Sequence, residues 1–103
     1  MILIGRNNIA AFGRRHPQSR RSLSAWEMAI RQTDYYGFNG LKLSFPSVDY
    51  VYHRYTIFDI SGNKYRLVTE INYAAKVVNI KRIWTHAEYS MKKSEDAMRN
   101  HQL

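Results

Sequence analysis

RYTIFDISGNKYRLVTEIN, residues 54–72, has the clearest pattern of strands and turn in the chain. Two runs rich in β-branched and aromatic residues, 54–60 and 64–72, flank the tripeptide SGN at 61–63. Glycine and asparagine tolerate the positive φ angles that a tight hairpin turn requires. A similar run, KVVNIKRIW, follows at 76–84 after a short turn. The three runs therefore predict three consecutive antiparallel strands.

Side-chain alternation assigns the faces of these strands. Arg66 and Leu67 must point to opposite faces of the middle strand, and the charged guanidinium is the one excluded from an apolar core. In the last strand Ile80 takes the core side, so alternation turns Lys81 away from it. We therefore expect Arg66 and Lys81 to share a partly open face. Arg82 falls on the core side by the same rule and ranks below Lys81.

The residues before these strands predict a short first strand and two helices. Residues 1–4 are apolar, and Asn7 or Asn8 can cap a helix that ends at the pair His16-Pro17. Pro17 suits the first turn of a second helix. Three apolar residues of that helix share one face: Leu23, Trp26 and Ile30. With residues 35–53 irregular, the order β-α-α-β-β-β-α predicts an α+β fold, in which two helices pack on one face of a small antiparallel sheet.

Composition limits the class of protein. A chain of 103 residues has room for one domain. It contains no cysteine, which excludes disulfides and thiolate metal sites. The apolar start is too short for a signal peptide or a membrane span, so we expect a cytoplasmic protein with no membrane partner. Sixteen Lys and Arg against eight Asp and Glu give a net charge of +8, which favours polyphosphate or acidic partners.

The segment WTHAEY, residues 84–89, contains the best candidates for chemistry. Thr85 and Glu88 have the spacing of a capping box, which predicts a helix beginning at His86. The positive helix terminus favours a neutral imidazole, and a neutral imidazole can accept a proton as a general base must. Structural roles compete with this interpretation. Glu88 has its capping role, Trp84 and Tyr89 occupy staple positions, and His86 could be an ordinary surface histidine.

RNA is the substrate that fits these residues best. Its own 2′-hydroxyl can attack the neighbouring phosphate without a metal, if the protein removes one proton, supplies another and stabilises negative charge. The chain has no cluster of carboxylates and no phosphate-binding glycine loop, so we expect neither a metal nor a cofactor. The candidate catalytic residues are Arg66, His86, Tyr89 and Lys81. The candidate RNA-binding residues are Lys64, Arg82, Lys92, Lys93 and Arg54.

Several motifs together resemble a known family. FDISGNKYRLV at 58–68, INY at 71–73 and THAEY at 85–89 resemble the HigB branch of the RelE toxin superfamily. Shorter segments fit in the same order: Ala11-Phe12, His16-Pro17, Ala25-Trp26 and Phe45-Pro46-Ser47. We therefore expect a RelE-like toxin domain over residues 1–90, followed by a helical or mobile extension at 91–103.

The resemblance implies a function and partners. It implies ribosome-dependent endonucleolytic cleavage of mRNA, inhibition of translation and neutralisation by a HigA-type helix-turn-helix antitoxin. Toxin and antitoxin would form a heterotetramer that contacts DNA only through the antitoxin. By the family pattern Arg66 would contact or stabilise the scissile phosphate, with His86 and Tyr89 at the active site.

The chain also departs from the family pattern at three positions. Asp59 stands where the family usually has asparagine, Lys81 where an arginine is common, and Ser90 where an acidic residue follows the Glu-Tyr pair. Lysine keeps the charge at position 81 but loses the planar fork of arginine, which weakens bidentate binding of a phosphate. Ser90 puts in doubt any role assigned to that position.

Two other functions stay open. A ParE-like inhibitor of a topoisomerase would share the fold, although the basic face and the His86–Tyr89 pair argue against it. A non-catalytic RNA-binding module could stack bases on Tyr50, Tyr52 and Tyr55 near Arg54. Tyrosines at such alternating strand positions are more commonly packing residues.

Overall fold

The computed structural model describes all 103 residues and confirms the predicted α+β fold. A 3-10 turn, Pro17–Ser19, separates the first two helices. The strands are β1 (Ile2–Ile4), β2 (Asp49–Val51), β3 (Tyr55–Ile60), β4 (Tyr65–Asn72) and β5 (Val77–Thr85). The helices are α1 (Arg6–Arg15), α2 (Arg20–Gln32), α3 (Phe38–Ser44), α4 (His86–Tyr89) and α5 (Lys92–Arg99). No helix is long and apolar enough to cross a membrane.

The five strands form one sheet in the order β1-β5-β4-β3-β2. Strands β2 to β5 are antiparallel neighbours as predicted, whereas β1 pairs with β5 in parallel. The expectation of a purely antiparallel sheet is therefore wrong, and the sheet is mixed. The sequence of β1 predicts a strand, but three residues carry no information about the direction of the partner.

Helices α1 and α2 cover what we call the inner face of the sheet. The predicted apolar face of α2 is confirmed, since Leu23, Trp26 and Ile30 are all buried. Trp26 meets Phe58 of β3 edge to face, with ring centroids 5.2 Å apart. On β4 the inner-face residue Leu67 has no exposed surface. Burial of these side chains is the main stabilising term of the fold.

The first helix begins differently from the prediction. Neither Asn7 nor Asn8 caps α1, because the N-cap is Gly5 with φ of 88°. The amide of Asn8 instead donates to the carbonyl of Ile80 on β5 at 3.0 Å. A Cβ atom at position 5 would lie 2.6 Å from the same carbonyl oxygen, so only glycine fits this close approach.

Residues 35–53 are not irregular, contrary to the prediction. They contain α3, whose Leu41 is completely buried in the core, and the edge strand β2. The helix has only seven residues, and Gly37 and Gly40 interrupt its sequence, so the apolar period was too short to recognise.

The opposite, outer face of the sheet is open only in part. Helix α5 packs across it, and Met98 joins Tyr55, Ile57 and Val68 in a second apolar cluster. Residues 92–99 are therefore helical and docked on the sheet. The uncovered part lies at the end of β3 and β4, around Asp59.

A β-bulge in β5 changes the expected faces. Val68 pairs with Arg82 and Thr69 pairs with Ile80, so Lys81 has no partner on β4. The extra residue shifts the alternation by one. Arg82 is therefore exposed instead of lying on the core side, and Ile83 returns to the core. The prediction for Arg82 is wrong, because strict alternation assumes a regular strand.

Candidate active site

Three neighbouring strands place a row of side chains at the uncovered end of the outer face. Asp59 of β3 lies directly opposite Arg66 of β4, and Arg66 lies opposite Trp84 of β5. The turn between β3 and β4 and the start of α4 border this row. Residues 59, 63, 86 and 89 each contact Arg66 there, and we call the five residues the Arg66 cluster.

Arg66 is 9% exposed, and almost every donor of its guanidinium has a protein acceptor. One terminal nitrogen, Nη1, donates to the carbonyls of Asn63 and Tyr65, both at 3.2 Å. The other, Nη2, donates to the side-chain oxygen of Asn63 and contacts Nδ1 of His86 at 3.1 Å. The Nε atom forms an ion pair with Oδ1 of Asp59 at 3.2 Å. These contacts compensate the cost of burying the charge.

Local sequence fixes the position of His86. The predicted capping box is present: Thr85 Oγ1 accepts from the Glu88 amide at 3.1 Å, and Glu88 Oε1 accepts from the Thr85 amide at 2.8 Å. The helix begins at His86 as predicted, and the His86 amide donates to the Lys64 carbonyl at 2.8 Å. The imidazole is therefore held at the rim of the cluster with its ring exposed.

The contact with Arg66 assigns the tautomer of His86. A guanidinium has donors only, so Nδ1 of His86 must accept this hydrogen bond. The proton of the neutral ring then sits on Nε2. In this arrangement the second nitrogen of His86 is a hydrogen-bond donor, whereas the sequence suggested a proton acceptor.

Tyr89 closes the cluster on the side of α5. The guanidinium carbon of Arg66 lies 5.7 Å from the centre of the Tyr89 ring, and the Trp84 ring lies 6.3 Å from it. Burial raises the pKa of Tyr89 above its ordinary value, with the charge of Asp49 adding to the effect and that of Arg66 opposing it. The phenol therefore stays protonated at neutral pH. Tyr89 therefore packs near Trp84, as the staple positions predict, and it also lies beside Arg66.

Lys81 does not join the cluster. Its ammonium lies 4.0 Å from Glu70, and Arg54 binds the same carboxylate at 3.0 Å. Glu70 is four residues from Arg66 on β4, or about 13 Å at roughly 3.3 Å per residue. The shared surface expected for Arg66 and Lys81 is thus divided into two separate groups.

The other predicted RNA-binding residues lie at the surface. Lys64 is exposed in the turn whose carbonyl binds His86. Lys92 and Lys93 are exposed at the start of α5, where Lys92 lies 3.7 Å from Asp96. Arg82 is exposed in a shallow cleft between α1 and β5.

Sequence reasoning missed Asp59 and Asn63 as members of the site. Asp59 was noted only as a departure from a family pattern, and Asn63 only as a turn residue. A signal was available, because a hairpin turn centred on residues 62 and 63 pairs position 59 with position 66. No group of three or more metal-binding side chains lies close enough to hold a metal ion.

Comparison with known proteins identifies a toxin family. The family described as HigB_toxin, RelE-like toxic component of a toxin-antitoxin system, matches residues 19–92. A relative from Escherichia coli O6:H1, named mRNA interferase HigB, is 28% identical over 91 residues. That alignment covers 86% of this chain and 88% of the relative.

Proposed function

The chain belongs to the HigB family of RelE-like toxins, and from this we propose that it is an mRNA interferase, an endoribonuclease that inhibits translation. The observation that supports the proposal best is the 3.1 Å contact between Arg66 and His86 beside Tyr89. A cation, an imidazole and a phenol meet there at the surface of a chain with a net charge of +8.

The proposed reaction needs no metal. The 2′-oxygen of one nucleotide attacks the adjacent phosphorus, and the bond from phosphorus to the 5′-oxygen breaks. The products are a 2′,3′-cyclic phosphate and a 5′-hydroxyl. The protein has to move two protons and stabilise the extra negative charge that develops on phosphorus.

The residues of the Arg66 cluster suit these tasks. The Nε2–H of His86 is directed away from Arg66 and can donate to a phosphate oxygen. Arg66 supplies positive charge beside that phosphate, and Tyr89 holds a proton for the leaving 5′-oxygen. One well-placed donor is worth about 10²–10³ in rate, so a few such groups provide substantial catalysis.

We further propose that the substrate is mRNA on the ribosome. None of the larger clefts lies in the uncovered part of the outer face, and the largest of them lies between α1 and α2. Exposed cations around the cluster, including Lys64 and Lys93, would bind phosphates without reading sequence. Such a site gains rate when another body holds the RNA in one conformation, which a ribosome would do.

The proposed protein partner is a HigA-type helix-turn-helix antitoxin in a heterotetramer. Membership of a toxin-antitoxin family supports an antitoxin partner. In such an assembly the antitoxin would contact the operator DNA, and this chain would reach DNA only through it.

The test is to map the 5′ ends of cellular mRNA after brief expression of the full chain. We expect new 5′-hydroxyl ends in translated regions, formed also in a purified translation system. Arg66→Ala and His86→Ala should each reduce these ends by about 10²-fold or more. Arg31→Ala, an exposed arginine on α2, is the control and should cleave normally.

Three results would contradict the proposal. Intact mRNA in cells that express the chain would exclude an mRNA interferase. Full cleavage by both Arg66→Ala and His86→Ala would exclude this site. Inhibition of DNA supercoiling without mRNA cleavage would favour a topoisomerase inhibitor.

A further inference from the structure

Cleavage by the 2′-hydroxyl requires a group that takes the hydroxyl proton. His86 does not offer one in this arrangement, because Nδ1 accepts a hydrogen bond from Arg66 and Nε2 carries the ring proton. Tyr89 does not offer one either, because burial raises its pKa and the phenol stays protonated. The acceptor must come from another residue near the cluster.

Asp59 supplies the carboxylate of the Arg66 cluster. Its Oδ1 atom lies 3.2 Å from Nε of Arg66, and the ion pair fixes the orientation of the carboxylate. The second oxygen, Oδ2, accepts no hydrogen bond within the chain. The side chain of Asp59 is 28% exposed, so a nucleotide on the outer face can reach the carboxylate.

The position of Asp59 relative to His86 also suits the reaction. Both side chains contact the guanidinium of Arg66, one at Nε and the other at Nη2. One rigid, planar group therefore holds both side chains. The donor for the leaving oxygen is Tyr89, whose ring centre lies 5.7 Å from the guanidinium carbon, so the acceptor and the donor of an in-line displacement come from two different neighbours of Arg66.

We propose that Asp59 is the general base for cleavage, an assignment that rests on the proposed function. Oδ2 of Asp59 takes the proton of the 2′-hydroxyl as the bond from the 2′-oxygen to phosphorus forms. The bond from phosphorus to the 5′-oxygen breaks, and that oxygen takes the phenolic proton of Tyr89. His86 donates Nε2–H to a non-bridging oxygen throughout. Asp59 then loses its proton to water, and Tyr89 regains one from water.

Arg66 gains a second role in this scheme. It orients Asp59 through Nε and His86 through Nη2, so it positions the base and the hydrogen-bond donor together. Its donors are occupied by protein atoms, which makes it a positioning residue in addition to a source of charge.

The experiment is single-turnover cleavage of mRNA on programmed ribosomes by the full chain and by Asp59→Asn. Asparagine has the same shape and keeps an oxygen for Arg66, but it accepts no proton. We expect a loss of about 10²–10⁴-fold in the cleavage rate. Asp34→Asn is the matched control, since Asp34 is exposed, lies outside the cluster and keeps an oxygen for its partner, the N-terminal ammonium group. It should change the rate by no more than about threefold, a small electrostatic effect.

Two further measurements separate a base from a structural counterion. Binding of an mRNA with a single 2′-deoxy nucleotide at the cleavage position should not weaken in Asp59→Asn, because a negative charge beside the phosphate has been removed. Formate added to Asp59→Ala should restore part of the cleavage rate, since it supplies a carboxylate in the vacated space. Thermal unfolding of each variant identifies any loss that comes from misfolding.

Cleavage by Asp59→Asn at the wild-type rate or faster would overturn the assignment and leave Asp59 as a counterion that weakens RNA binding. Failure of formate to restore any rate to a folded Asp59→Ala would also overturn it. If the wild-type chain leaves every mRNA intact, the proposed function fails and the assignment fails with it. If the wild type and Asp59→Asn both cleave mRNA at the same rate, the assignment of Asp59 as the base fails and the proposed function stands.

Discussion

The inner and outer faces of the sheet share strands but differ in what their side chains contact. Adjacent residues on β4 illustrate the difference. Leu67 faces the large apolar core under α1 and α2, and Val68 faces the small cluster under α5. Arg66, on the same face as Val68, contacts polar groups from β3, the turn and α4.

The difference shows how a small domain separates stability from chemistry. The inner face is mostly apolar and forms one continuous core, in which the buried hydroxyl of Thr69 donates to the Thr56 carbonyl. The outer face is divided, with an apolar half that holds α5 and a polar half that holds the Arg66 cluster. Only the second half combines exposed acceptors and donors with a buried charge, which is the arrangement a catalytic site requires.

The largest expected effect comes from truncating neighbouring residues on the two faces. Leu67→Ala should lower the free energy of unfolding by about 2–5 kcal/mol, because it leaves a cavity in the main core. Val68→Ala should cost about 1.6 kcal/mol, from roughly 0.8 kcal/mol for each lost CH₂-sized group. Urea denaturation of the two purified variants measures both values.

Equal losses of unfolding free energy in Leu67→Ala and Val68→Ala would contradict the proposed difference between the two faces. If Val68→Ala is as stable as the wild type, α5 does not stay docked on the sheet in solution. Hydrogen exchange supplies the control: in Val68→Ala, amides of α5 should exchange faster than in the wild type, while amides of α2 should not change.

A smaller effect concerns the two cations at the bulge. The charge of Lys81 is partly offset by Glu70, whereas Arg82 is exposed with no acidic group within 4.0 Å. Arg82→Ala should therefore weaken RNA binding more than Lys81→Ala does. It should also make the plot of log binding constant against log salt concentration less steep, by about the amount expected for one phosphate contact. Titration of RNA binding at several salt concentrations measures the slope. If Lys81→Ala weakens RNA binding more than Arg82→Ala does, the original ranking of Lys81 above Arg82 is correct.

The same bulge shows where sequence reasoning ends. Alternation correctly gave the inner face of β4 and of the first half of β5, because a regular strand with one buried face must follow a period of two. It failed at Arg82, since the sequence KRI does not reveal which residue is extra. The short helix α3 was missed for a related reason, since seven residues give too few periods to recognise.

The candidate site was predicted as far as local motifs extend. The capping box determined the start of α4 and hence the place of His86. The long-range contacts of Arg66 were not predictable in detail, because they depend on the exact register of β3, β4 and β5. Asp59 could have been paired with Arg66 from the hairpin alone, but its free oxygen is visible only in three dimensions.

The smallest expected effect is a titration, and it tests whether the polar half of the outer face reaches Tyr89. Because burial raises the pKa of Tyr89, its phenol should ionise after most of the eight tyrosines as the pH rises. Absorbance of the phenolate in Tyr89→Phe should therefore lack part of the latest phase. The pKa of Tyr89 in the folded state exceeds the unfolded value of about 10, so the contribution of the protonated phenol to the free energy of unfolding is fully present below pH 10. That contribution is lost as the pH rises through the folded-state pKa. Wild type should lose stability relative to Tyr89→Phe only in that alkaline range. Ionisation of Tyr89 among the first tyrosines would mean that α5 leaves it exposed, and the boundary between the two halves would then lie closer to Arg66.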